Sequence, residues 1–387
     1  MTSFINKRKN LYIVFVDFTK AFDQVNHEIL FEVLKSRGVS ETCLRVIKSL
    51  YSNQVATMRN DPKQRKIKIK RGVRQGCVLS PVLYNSYADH AMSSMDPGLG
   101  VSIDGITLNR ILYADDTALI SDCPVKLQKL VDELCSLEKV FKLEINVKKT
   151  KCMKVSFPGA DSTPLNIFVK GQKIEEVFKF KYLGINLVPD CSDMSELKIR
   201  IALARQKFFE RSELLRGNLR IATKLKVLRV FVWSVLRYGS EVWATTNAMR
   251  AKITAFEMWC YRRILKIPFT AHTTNVQVLE RLHLDQPLLL KSITRRKLQY
   301  AGHVLRGSSG KELTSLLKAT VLQDNTGRGR KKTFWFDEAM KLVDNGESKA
   351  TKMTLLCRRA EKRKLWRQSI EELLSMEPTL TPEDGAQ

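Results

Sequence analysis

The sequence predicts an α+β fold: a sheet with helices on one face over the first 190 residues, then a helical remainder. Three observations point there. Strand-like and helix-like hydrophobic periods interleave up to about residue 190, in the manner of a split βαβ sheet. From Ser192 onward helical spacing dominates and strand signals become rare. The 387 residues suffice for two or three domains, each with its own core. The expected boundaries are 1–190, 191–270 and a basic helical region at 271–387.

The elements follow in order. Leu11 to Val16 is a continuous apolar, β-rich run, a buried strand that ends on Asp17. Asn26 caps a helix through Leu34 that Gly38 ends, and Ser40 caps a second helix to about Leu50. Val55–Met58 and Ile67–Ile69 read as strands joined by an Asp61-Pro62 turn. A Gly-containing loop, Arg71 to Ser80, leads into a helix with Pro81 at its first position, running to about Met95. Within Ile106–Asp122, two apolar pieces flank Asp115-Asp116, which reads as the two-residue turn of a β-hairpin. Pro124 opens a helix that ends near Leu143, and Ile145–Phe157 is strand-like. Hairpins are expected around Gly171 and at Phe180–Val188. Helices are then expected over about 193–217, 220–238 and 248–266, with Trp233, Trp243 and Trp259 among apolar neighbours as core residues. Gly307–Gly310 and Asn325–Lys332 interrupt the basic remainder as linkers or arms.

Composition narrows the functional classes. A hydrophobic fraction of 44% and a charged fraction of 27% are those of a folded domain, not of a disordered or collagen-like chain. The longest apolar runs, such as Phe231–Leu236, are too short to span a bilayer, and no secretory signal precedes them, so no membrane role is expected. Eight scattered cysteines form no C-x-x-C pair, and the five histidines do not sit at metal spacing beside them, which predicts reduced thiols in an intracellular protein without a zinc site. The net charge is +26, and half of it lies in one stretch: Lys291–Ile370 has 20 Lys and Arg against 7 Asp and Glu. Such a field attracts polyanions, phosphate backbones above all, although it also solubilises a surface.

Three carboxylates stand out. Asp17 ends a buried strand, and Asp115 and Asp116 sit on a hairpin turn. Each alone is also what a solvated turn or strand end looks like. Together on one sheet face they would repel each other without a cation, and in a basic protein they suit hard divalent ions. A pair of such ions can clamp the attacking and leaving oxygens of a phosphoryl transfer. This reading requires that Asp17 lie beside the Tyr113–Asp116 hairpin.

At this point the residues resemble a known family. Phe15-Val16-Asp17-Phe18-Thr19-Lys20-Ala21-Phe22-Asp23, Gly72-Val73-Arg74-Gln75-Gly76-Cys77-Val78-Leu79-Ser80-Pro81 and Tyr113-Ala114-Asp115-Asp116 look like the A, B and C motifs of a reverse transcriptase. Asn146–Lys151 resembles the D motif, and Phe180-Lys181-Tyr182-Leu183-Gly184 the E motif, or primer grip. Five ordered motifs make the resemblance specific, and their wording is similar to non-LTR (LINE-like) retrotransposons, with the RTE-type group as a candidate subgroup. Arg295–Arg306 and Gly327–Asp337 also resemble the C-terminal region of such elements.

The resemblance implies a right-hand polymerase palm over 1–190, a helical thumb over 191–270 and a basic C-terminal region. It implies an RNA-directed DNA polymerase that uses two Mg²⁺ ions, with Mn²⁺ as an alternative and no small-molecule cofactor. The partners would be an RNA template, a DNA primer and dNTPs, in cytoplasm and nucleus. Asp17 and Asp115 would hold the ions, Asp116 would support them, and the Phe18 carbonyl would complete a metal shell. Phe22 would lie under the incoming sugar and leave no room for a 2′-OH; its bland alternative is core packing. Gln75 and Gly76 would line the dNTP pocket. Lys149 would deliver a proton or charge to the departing pyrophosphate; the alternative is a solvated lysine. Tyr182, Leu183 and Gly184 would steady the primer. Lys198, Arg200, Arg205, Lys207, Arg211 and Arg216 are candidates for backbone contact, or simply a solvated helix face.

Two features depart from the family. The chain starts close to the catalytic strand, so the fingers are expected to be largely missing, as in an N-terminally truncated copy, and polymerisation by this chain is expected to be weak or absent. Cys77 stands where the family often has an acidic residue. Two other readings therefore compete: a non-enzymatic nucleic-acid-binding remnant, and a group II intron-type maturase, against which the Phe18–Asp23 wording and the Gly302-His303 region argue.

Overall fold

A computed structural model describes residues 10–52, 54–57, 66–103, 105–156, 163–322, 333–343, 346 and 348–376. The Asp61-Pro62 turn and the Asn325–Lys332 piece lie outside them. The architecture is α+β, and the chain forms two compact units, 1–191 and 192–387. Among the described residues no helix is long and apolar enough to cross a membrane.

The first unit is organised by β1 (Leu11–Val16), whose side chains alternate between two buried faces. This explains why the strand reads as an unbroken apolar run rather than as an alternating one. The chain then forms the short α1 (Ala21–Gln24), α2 (His27–Ser36) and α3 (Glu41–Tyr51). The Asn26 side chain accepts from the Glu28 and Ile29 amides, and the Ser40 hydroxyl accepts from the Cys43 amide, so both expected caps are in place. A hairpin, β2 (Val55–Thr57) with β3 (Lys66–Lys68), precedes α4 (Ser80–Met92). A second hairpin, β4 (Val101–Ile103) with β5 (Ile106–Leu108), precedes β6 (Arg110–Tyr113), β7 (Asp116–Ser121) and α5 (Pro124–Phe141). The unit closes with β8 (Lys151–Val155), β9 (Phe168–Val169), β10 (Gln172–Lys173), β11 (Glu175–Glu176), β12 (Phe180–Tyr182) and β13 (Ile185–Leu187).

The sheet order is β11-β8-β1-β7-β6, with β1 antiparallel to both β7 and β8 and only β11 parallel to its neighbour. Val14 and Val16 face α2, α4 and α5 through Leu30, Leu83, Tyr84, Tyr87 and Leu127. Leu11, Ile13 and Phe15 face the other way, against Val101, Met153, Phe180 and Tyr182. Helices thus cover one face, as expected, and hairpins close much of the other.

Two details differ from the sequence expectation. The hairpin turn is Ala114-Asp115, with Ala114 left-handed at φ 52°, and Asp116 is the first residue of β7, paired with Tyr113. Moving the turn one residue back keeps Ala118 and Ile120 on the same face as Ile13 and Phe15, because a one-residue slip would reverse every side chain. The strand expected over Ile145–Phe157 is shorter: Ile145 bridges Phe18, residues 147–149 turn, and only Lys151–Val155 runs in the sheet.

The second unit is helical: α6 (Asp193–Glu210), α7 (Ser212–Arg216), α8 (Ile221–Val227), a π-helical segment (Leu228–Trp233), α9 (Ser234–Arg237), α10 (Asn247–Ile264), α11 (Asn275–Arg281), α12 (Leu289–Leu305), α13 (Lys311–Leu322), α14 (Asp337–Met340), α15 (Lys349–Glu361) and α16 (Arg363–Met376). One apolar cluster runs from Leu197 to Ile293 and holds Trp233 and Trp243; another runs from Leu298 to Leu374 around Phe336 and Trp366. The start of α12 has no side-chain cap of its own. Buried Glu257 supplies one, accepting from the Leu288 and Leu289 amides at 2.6 and 2.9 Å and from the Tyr261 hydroxyl at 2.6 Å.

Candidate active site

Asp17 leaves β1 directly after the Val16–Thr117 pair, and the same register carried one residue further sets it opposite Asp116. The backbone there is fixed by a crossing segment. The Asp17 amide donates to the Thr150 hydroxyl at 3.2 Å, its carbonyl accepts from the Asn146 amide at 2.8 Å, and the Thr19 amide donates to the Glu144 carbonyl at 2.8 Å. These bonds use the carbonyl of Asp17 rather than that of Phe18, whose ring is buried in the core.

The three aspartates act on one another electrostatically. The Asp116 carboxyl is held above the usual aspartate range, first by burial and then by the charges of Asp115 and Asp17. The strand register sets Asp17 beside the hairpin that carries Asp115 and Asp116, across 98 positions of sequence (17 to 115). Lys149 pairs with Asp17, its Nζ 3.8 Å from Asp17 Oδ2. Tyr182 donates weakly to the Asp116 carbonyl at 3.5 Å, and burial with the Asp116 charge pushes its phenol up to about 12. Its hairpin is pinned to the sheet by Phe180, stacked on Phe15 with ring centres 4.0 Å apart.

A cleft of about 430 Å³ is lined by Phe22, Arg74, Gln75, Gly76, Cys77, Val78, Ser80 and Pro81. Phe22 is half-buried and stacks on Tyr84 at 4.5 Å, so it is at once a packing residue and a wall of the cleft. The Ser80 hydroxyl donates to the Arg74 carbonyl and ties the loop to the start of α4. Gly72 lies at φ 92°, and a Cβ there would stand 2.9 Å from the Asp23 carbonyl oxygen. The motif therefore needs glycine where the Arg71–Ser80 loop passes the backbone after Phe22. Cys77 is held below the usual thiol range, mainly by a hydrogen bond from the Leu79 amide.

The lining of the cleft does not include Asp17, Asp115, Asp116 or Lys149. Tyr84 connects the two groups: it carries Phe22, and burial together with the Asp115 charge pushes its phenol well up. Sequence reasoning gave no role to Tyr84 or Arg74. Arg74 sits within a quoted motif; Tyr84 sits in an apolar helix and gives no local signal.

The donor set suits a hard divalent cation. Among the described residues no group of three or more His, Cys, Asp and Glu side chains stands ready to hold a metal by itself.

Residues 2–187 match the reverse transcriptase (RNA-dependent DNA polymerase) family. The chain is 30% identical over 188 residues to the retrovirus-related Pol polyprotein from type-1 retrotransposable element R2 of Popillia japonica, covering 46% of this chain and 26% of that protein. It is 24% identical over 286 residues to the RNA-directed DNA polymerase from mobile element jockey of Drosophila funebris, covering 70% of this chain and 30% of that one. The chain thus spans about a quarter to a third of the length of these relatives. Among solved structures, an apo telomerase from Candida tropicalis truncated from its C-terminal domain is similar over 49% of this chain and 36% of that chain, at 20% identity and a TM-score of 0.37.

Proposed function

We propose that this chain, whose residues 2–187 are a reverse transcriptase domain like those of LINE-like retrotransposons, is an RNA-directed DNA polymerase that extends a primer with dNTPs. The observation that carries the reading is the convergence of Asp17, Asp115 and Asp116, far apart in sequence, on one corner of the sheet. In this reading residues 1–190 are the palm, 191–270 the thumb and 271–387 a basic region with sequence-tolerant phosphate contacts.

Asp17 and Asp115 would hold two Mg²⁺ ions, with Asp116 beside them. Such ions lower the charge on the triphosphate and favour the primer 3′-oxygen as nucleophile. That oxygen bonds to the α-phosphorus while the bond to the pyrophosphate oxygen breaks. The protein supplies position and charge. Bound cations would relieve the repulsion among the three carboxylates. Lys149, beside Asp17, would meet the charge that develops on pyrophosphate. Phe22, held flat by Tyr84, packs under the sugar and leaves no space for a 2′-OH, while Gln75 and Gly76 line the base side of the cleft. The Tyr182–Gly184 turn supports the primer end.

The test is Mg²⁺-dependent primer extension on an RNA template, wild type against Asp115→Ala. Extension that the substitution abolishes supports the proposal. Nucleic-acid binding in EDTA with no extension in Mg²⁺ overturns it in favour of a binding protein without turnover.

A further inference from the structure

Of the four basic residues of α6, two form ion pairs among the described residues, and Lys198 and Arg205 do not. Arg200 and Lys207 are paired with carboxylates on their own helix, Glu196 and Glu210, at 2.6 and 2.7 Å. Arg205 is not. Its guanidinium lies over the Trp259 ring of α10, 5.2 Å from the centre, and Arg263 of α10 lies over the same ring at 4.6 Å and over Phe209 at 5.4 Å. Among the described residues neither Arg205 nor Arg263 has a carboxylate partner. Both are exposed, Trp259 is half-buried, and Phe209 keeps 52% of its surface in solvent. Beneath them Phe256 and Phe208 hold the indole from the core at 5.9 and 5.1 Å. A similar pair flanks the patch, Arg211 over Phe231 at 5.1 Å.

This arrangement has a chemical meaning. A guanidinium stacked on an aromatic face keeps its outward N–H fork free and loses little freedom when it binds, which suits bidentate contact with phosphate. Two such groups on one indole are at most about 10 Å apart, within reach of neighbouring phosphates on one strand. The exposed Phe209 adds an apolar ring in water at the edge of this clamp. Phosphate clamp and aromatic ring together match the way single strands are held, by backbone charge and by base stacking. A duplex offers phosphates but keeps its bases inside.

We propose that Arg205, Arg263, Trp259 and Phe209 form a binding platform for single-stranded nucleic acid, with the arginines on the backbone and Phe209 under an unpaired base. The platform lies within the helical unit and requires nothing of the carboxylate site, so it holds whether or not the chain polymerises. Charge complementarity selects the occupant, since the chain carries +26 and among the described residues these two arginines have no carboxylate partner.

The experiment is fluorescence anisotropy of the full chain in EDTA with a labelled single-stranded oligo-dT and with a labelled DNA duplex of equal length, over a salt series. In the Arg205→Ala/Arg263→Ala double variant the slope of log affinity against log salt for the single strand falls by about 1.4, the value for two lost phosphate contacts. Phe209→Ala weakens single-strand binding about tenfold at unchanged slope and leaves the duplex nearly unaffected. Arg205→Lys/Arg263→Lys keeps the slope, which separates charge from any loss of folding. The proposal is overturned if the alanine pair leaves slope and affinity unchanged, if Phe209→Ala weakens duplex and single strand alike, or if the wild-type chain does not bind the single strand.

Discussion

Gly72→Ala tests how the cleft is tied to the catalytic strand. The segment 71–73 is stitched to 22–27 at several points: the Gly72 amide donates to the Val25 carbonyl, the Val73 amide to the Phe22 carbonyl, and the Gly72 carbonyl meets a His27 ring nitrogen, each at 2.8 Å. Alanine at φ 92° costs about 1–2 kcal/mol in backbone strain alone. The added Cβ would stand 2.9 Å from the Asp23 carbonyl oxygen and 3.0 Å from its Cα, both backbone atoms that cannot rotate away. Forced overpacking of that kind costs about 1–3 kcal/mol more. The sum, about 3 kcal/mol, corresponds to roughly a hundredfold faster hydrogen exchange at the Val73 amide. The assay separates the units cleanly, because all five tryptophans lie between residues 233 and 366. Tryptophan fluorescence should therefore keep its urea midpoint while exchange at residues 72–76 accelerates. If Val73 exchange changes less than threefold, the stitching of this loop to the strand that follows Asp17 has been misjudged.

Two further outcomes follow from the same geometry. Gly302 packs so tightly on Trp366 that a Cβ would enter the indole, whose Nε1 donates to the Leu298 carbonyl at 2.9 Å; Gly302→Ala should cost about 2–4 kcal/mol, seen as an earlier tryptophan unfolding transition, and an unchanged midpoint would refute the close approach. Asp116 binds its proton more tightly in the folded protein than in the unfolded chain, so its contribution to stability is complete below the ordinary aspartate value and is lost as pH rises through the raised one. Metal-free protein should lose far-UV melting temperature upward from about pH 4, Mg²⁺ should restore it, and Asp116→Asn should flatten the profile; parallel profiles for variant and wild type would show that the repulsion is not there.

Local chemistry was legible where one residue decides an element. Asn26 and Ser40 announce their helices because a cap is a side chain bonding a nearby amide. Pro81 and Pro124 announce the starts of α4 and α5 because their rings fit a first turn. The hairpin at Ala114-Asp115 was legible as a hairpin but not in its register, since the turn is set by which face of β7 must meet β1. The closure of the second sheet face by Phe180 and Tyr182 has no local signature, because it depends on a ring stacking on Phe15 from far along the chain. The same limit applied to Tyr84, an ordinary helix residue until Phe22 and Asp115 are beside it, and to Glu257, which reads as a solvated acid and is a buried helix cap. Trp259 was expected in the core with Trp233 and Trp243; only the latter two are fully buried, and two arginines distinguish the third.

The carboxylate corner itself is tested most directly by iron-directed hydroxyl-radical cleavage, with Fe²⁺ taking the place of Mg²⁺. Scission should concentrate at residues 16–18 and 114–117, fall away as Mg²⁺ is added, and vanish in Asp17→Asn/Asp116→Asn. Cuts spread evenly along the chain, or focused elsewhere and insensitive to Mg²⁺, would contradict a divalent-ion site built from Asp17, Asp115 and Asp116.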